Sequence, residues 1–227
     1  MIQRAIYKNL IGGFILFSGL KISEIVYGFI FNLERSITNL EDALFKSIID
    51  IFFIFLMLFI WYRFKIYFQI QRRQTSYSTI FLYFLIGLLF RIPDAIYALR
   101  WGNLFTYEDY KFFFIIQCFG ALIEAPIVEE ILFRGIFFVT LIRIHRFWGY
   151  ISSNILFVLW HISFSKLFGD GIWTISPTYS LSLFISGLFA SVLYEKTGDI
   201  KVPIVFHFCL NLIPKSAQLI SYHFGLF

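Results

Sequence analysis

The chain has 227 residues, of which 59% are hydrophobic and only 15% charged, with a mean hydropathy of +0.78. A soluble domain carries roughly 25% charged residues, so the composition excludes an ordinary water-soluble fold and predicts one integral membrane domain over 1–227. The net charge of +5 does not point to nucleic acid, because the basic residues sit in short segments between apolar blocks, where they set orientation in a membrane.

The predicted fold class is all-α, a polytopic transmembrane helix bundle of about seven spans, at roughly 9–32, 44–62, 78–99, 112–142, 149–164, 179–195 and 202–222. Arg4 and Lys8 precede the first span, but no small-residue cleavage site follows, so it reads as uncleaved. The fourth span is long and contains Pro126, which predicts a kink, a tilt or a break. Cys118 and Cys209 lie inside apolar segments without disulfide or zinc spacing and read as small packing residues.

The loops alternate in charge. Ten basic residues (Arg4, Lys8, Arg63, Lys65, Arg72, Arg73, Arg143, Arg146, Lys196 and Lys201) fall on one set of segments. The opposite set holds four (Arg35, Arg100, Lys111 and Lys166) against six acids. By the positive-inside rule this predicts a cytoplasmic N-terminus and an external C-terminus. The default location is the plasma membrane of a bacterium.

Six acids fall inside the spans: Glu24, Asp50, Asp94, Glu124, Glu129 and Glu130. Each costs about 2.5–3.5 kcal/mol at mid-membrane on insertion scales, so each needs a partner or a task. Lys21–Glu24, Lys46–Asp50, Arg91–Asp94 and Glu130–Arg134 are spaced three or four residues apart and read as structural pairs. Glu124 and Glu129 have no such local partner. A carboxylate alone in a low dielectric is a competent general base or acid near neutrality.

His161 and His207 lie within the apolar runs FVLWHISF and PIVFHFCLNL, on different spans. A single membrane histidine often only bonds a neighbouring helix. Two of them beside an unpaired Glu129 predict convergence. Asn211 shares a helix face with His207, and Phe157 lies one turn before His161. In this topology His161 is about 12 residues into its span and His207 about 5, a depth mismatch of roughly 10 Å. Tilt, or an earlier start to the seventh helix, would remove it.

Taken in order, E-E-x-x-x-R (Glu129, Glu130, Arg134), F-x-x-x-H (Phe157, His161) and H-x-x-x-N (His207, Asn211) resemble the CPBP family of intramembrane proteases, named for CAAX processing and bacteriocin processing. The flanks APIVEEILFRG and GLFASVLYEKTGDIKVPIVFH are similar too, and the resemblance covers about 112–212, the expected catalytic core. It implies hydrolysis of a peptide bond at the bilayer, in a membrane-associated peptide or a prenylated protein. Glu129 would activate the water and His161 would help hold it. His207 and Asn211 would stabilise the oxyanion, while Glu130 and Arg134 would brace the helix. The resemblance is equally compatible with a zinc or other divalent metal on Glu129, His161 and His207 and with a metal-free glutamate mechanism. Two other classes stay open: a non-proteolytic immunity or scaffold protein of the same fold, and a small proton-coupled transporter. Against the transporter stands the lack of an inverted repeat. Nothing suggests a nucleic-acid partner.

Overall fold

Pro126 has no N–H to give to the carbonyl one turn back, and the helix around it is wound wider than an α-helix to accommodate that loss. In the computed structural model a π-helical stretch, Gly120–Glu124, closes with the Ala125 N–H on the Gly120 carbonyl, five residues back. A short α-helix, Ala125–Glu130, follows with Pro126 in its first turn. A second π-helical stretch, Ile131–Phe138, comes next and ends with the Val139 N–H on the Arg134 carbonyl. From residue 118 on, the fourth predicted span is thus a run of helix with two π-wound stretches, and Glu129 and Glu130 sit between them.

The described residues are 2–31, 48, 52, 55, 59, 75–90, 92, 118–162 and 177–224, and no strand occurs among them. The helices are α1 (Ile2–Phe31), α2 (Tyr77–Phe90), α3 (Ala125–Glu130), α4 (Val139–Leu141), α5 (Arg146–His161), α6 (Pro177–Thr197) and α7 (Lys201–Phe224). The all-helical class is as expected. The count of seven spans is not established. Of 44–62 only Ile48, Phe52, Phe55 and Phe59 are described, all helical and exposed. Among the described residues one helix, Pro177–Thr197, is long and apolar enough throughout to cross a membrane, and Tyr77–Phe90 is a shorter apolar helix. α1 and α7 also have the length, at 30 and 24 residues. The Lys46–Asp50 and Arg91–Asp94 pairs, and the side chain of Glu24, lie outside the described residues.

Burial is inverted relative to a protein in water. Large apolar side chains are exposed on successive helices: Tyr7, Ile11 and Phe14 on α1, Phe81, Leu85 and Leu89 on α2, and Tyr179, Leu181 and Ile185 on α6. Apolar surface of that extent suits lipid contact. Lys21, Glu129, Glu130, Arg134, Asn154, Ser191 and His207 are buried instead. Several hydroxyls are satisfied within their own helices, as Ser153 donates to the Gly149 carbonyl and Thr197 to that of Leu193.

Two apolar clusters hold the helices. Leu16 of α1 meets Leu132, Phe133, Ile136 and Phe137 of the second π stretch, with Phe157 and Leu183. Gly13 permits that approach, since a Cβ there would stand 2.9 Å from an Ile136 methyl. Ala190 and Leu193 of α6 pack on Val202, Phe206 and Leu210 of α7, flanked by Ile80 and Tyr83 of α2. The polar residues named above lie between these clusters.

Candidate active site

Glu129 and Glu130 end α3, and both are buried, at 7% and 1% exposure. Each contacts α7. Glu130 Oε1 accepts from Arg134 Nη1 at 3.0 Å and lies 2.9 Å from His207 Nδ1. Glu129 Oε1 accepts from Trp160 Nε1 at 3.2 Å. Its Oε2 faces His161 Nε2 at 3.5 Å and His207 Nε2 at 3.9 Å. Thus α3, α5 and α7 bring Glu129, His161 and His207 to one point. α7 begins at Lys201, close to the expected 202, so an earlier start does not remove the depth mismatch.

The partners fix both imidazole tautomers. A carbonyl or a carboxylate only accepts, so the ring nitrogen bonded to it must carry hydrogen. His161 Nδ1 lies 2.9 Å from the Phe157 carbonyl, and His207 Nδ1 lies on Glu130. In the neutral rings both Nε2 atoms then present lone pairs toward Glu129 Oε2. That oxygen is buried and has no hydrogen-bond partner among the described residues. Three acceptors therefore converge on one point, an arrangement suited to a molecule that donates, such as water.

Arg134 is 1% exposed and is bound on every side. Besides Glu130, its Nη2 donates to the Gly187 carbonyl at 2.9 Å and to Asn154 Oδ1 at 3.4 Å, and its guanidinium stacks 4.6 Å from the Phe157 ring centre. Asn154 is held by the Tyr150 carbonyl at 2.7 Å and by Ser191 at 3.2 Å. Gly187 leaves the room: a Cβ there would stand 2.3 Å from Asn154 Oδ1 and 3.0 Å from Arg134 Nη2. Glu130 and Arg134 form the expected pair, and Glu130 in addition orients His207, which no i,i+4 reading contains.

The remaining expected residues divide. Asn211 donates to the Ala121 carbonyl at 2.7 Å, tying α7 to the first π stretch. Phe157 meets both His161 and His207 edge-on, at 4.7 and 6.0 Å between ring centres, rather than stacking under His161. Glu124 is half-buried and has an interaction partner in the fold. Trp160, Asn154 and Gly187 were not foreseen. Trp160 and Asn154 carry donors inside an apolar run, and that was the available signal.

Two imidazoles and a carboxylate are zinc donors by type. As arranged, however, no three His, Cys, Asp or Glu side chains among the described residues are gathered closely enough to hold a metal ion. Glu129, His161 and His207 remain the side chains that would hold such an ion, as the resemblance implies, with some closing of the 3.5 and 3.9 Å separations.

Residues 111–213 match the model of a family described as type II CAAX prenyl endopeptidase, Rce1-like. Over those residues the chain is similar to that family. This bears out the resemblance drawn from the three motifs, and the family is one of membrane proteases acting on peptide bonds. Searches of curated proteins and of solved structures gave no match. The matched segment contains Glu129, Glu130, Arg134, Trp160, His161, His207 and Asn211, whereas α1, which packs against it, lies outside the match.

Proposed function

We propose that the protein is an intramembrane endopeptidase that cleaves a membrane-associated peptide or a prenylated protein with water activated by Glu129. The observation that carries this is the buried, unpartnered Glu129 Oε2 facing both imidazole Nε2 atoms.

A water in that space donates one hydrogen to Glu129 Oε2 and the other to His161 Nε2, which turns its lone pair toward a scissile carbonyl. On attack Glu129 takes the proton, and it returns that proton to the leaving amine. The oxyanion then needs donors. Asn211, anchored by one amide hydrogen on Ala121, offers its second. His207 can donate from Nε2 only as an imidazolium, with Nδ1–H still on Glu130. No step is routed through a metal. Seven spans, a cytoplasmic N-terminus and an external C-terminus in a bacterial plasma membrane complete the reading, supported by the loop charges.

The test is turnover of a peptide library, including peptides with a prenylated cysteine, by purified protein in liposomes. Cleavage by the wild type and its loss in Glu129→Gln is the expected result. Cleavage that survives Glu129→Gln would remove Glu129 from the reaction and overturn the proposal.

A further inference from the structure

Glu129 has two carboxylate oxygens with different surroundings. Oε2 faces the imidazoles, while Oε1 is held by the Trp160 indole N–H at 3.2 Å. Trp160 is itself held from α1. The ammonium of Lys21 lies over the indole ring, 5.0 Å from its centre, and Phe17 packs against the same ring at 5.6 Å between centres. Lys21 is only 5% exposed, so its attraction to the ring is weakly screened. Phe133 closes the ring from a further side at 6.0 Å. The series Lys21–Trp160–Glu129 thus runs from α1, outside the family match, to the carboxylate at the centre of the site.

We propose that Trp160 and Lys21 are positioning residues for Glu129. The indole N–H fixes Oε1 and so presents Oε2 to the water and the imidazoles. The Lys21 cation holds the indole at that angle and draws electron density from it, which makes the N–H a stronger donor. This rests on Glu129 acting as the base. A free carboxylate rotates and shares its proton between both oxygens; a carboxylate held at one oxygen offers the other in a fixed direction, as an oriented base requires. The α1 helix then has a task in the reaction without touching substrate.

The experiment compares wild type, Trp160→Phe, Lys21→Met and the double variant, all as full chains in liposomes. A hydrogen bond to a charged group predicts that Trp160→Phe lowers kcat about tenfold with KM within about twofold. Lys21→Met lowers kcat about threefold. Because Lys21 acts through the indole N–H, the double variant matches Trp160→Phe alone. Wild-type kcat in Trp160→Phe, a loss confined to KM, or losses that multiply in the double variant would each overturn the proposal.

A second readout does not depend on turnover. The ultraviolet resonance Raman difference between wild type and Trp160→Phe isolates the Trp160 indole from the other four tryptophans. Its N–H band should shift toward a weaker hydrogen bond in both Glu129→Gln and Lys21→Met. No shift in either variant overturns the Lys21–Trp160–Glu129 series. If the shifts occur but Glu129→Gln still cleaves, the series stands as structure and the base assignment is what fails.

Discussion

Nδ1 of His207 lies 2.9 Å from Oε1 of Glu130, and this contact determines what the opposite edge of the ring presents to Glu129. Glu130 is therefore more than a counter-ion for Arg134. It holds the tautomer and the direction of His207 while Arg134 balances its charge.

Glu129→Gln and Glu130→Gln should consequently differ. Among the described residues no lysine or arginine is bonded to Glu129, so Glu129→Gln should melt near the wild type and lose at least about a hundredfold in kcat, the range for a general base. Glu130→Gln leaves buried Arg134 without its carboxylate. Breaking such a pair costs ~3–5 kcal/mol in a fully buried setting, less where the unfolded state remains in lipid. It should melt lower and retain partial activity. Thermal melts and cleavage rates on both variants check this, and equal melting temperatures would contradict it.

Gly187→Ala should destabilise by about 1–3 kcal/mol, as overpacking of a tight site does. Its Cβ would enter the space of Asn154 and Arg134. Gly19→Ala is the control, since nothing lies within 4 Å of a Cβ there. It should be neutral or stabilising by about 0.5–1 kcal/mol through helix propensity. Melting both in one detergent checks the contrast.

Chelator treatment should leave peptide cleavage within about twofold of the untreated rate, because the proposed water is activated by a carboxylate rather than by a metal. Loss of activity on chelation, restored by added zinc, would contradict this and would require His207 to move toward Glu129.

Orientation is checked with reporters. A fusion at Phe227 should be external and one in the 63–77 segment cytoplasmic, from the ten-to-four division of basic residues. The reverse would shift the span count by one.

Much of the site could be read from the sequence because charge in an apolar segment demands a reason. That argument singled out Glu129, His161 and His207, and helix spacing alone paired Glu130 with Arg134. The contacts between helices could not be read this way. The bonds from His207 to Glu130, from Arg134 to Gly187 and from Trp160 to Glu129 join residues far apart in the chain. Gly187 and Trp160 also look ordinary in a membrane helix, one a small packing residue and the other an aromatic. In the fold, Pro126 signalled an interruption, but its form depended on which carbonyls the wider turns could still satisfy. Adjacent helix positions differ by about 100° in direction, yet one imidazole reaches both Glu129 and Glu130.

The order in which the helices are made has a bearing on safety. Glu129 emerges from the ribosome well before α7, and His207 is carried by the last described helix. A nascent chain with α3 and α5 inserted has the carboxylate and one imidazole, but Glu130 still lacks the ring that it orients. The site is completed only when α7 docks. On the proposed mechanism, a half-synthesised chain is thus without its finished site while it is threaded among other membrane proteins, and a truncated product lacking α7 should be as silent as Glu129→Gln.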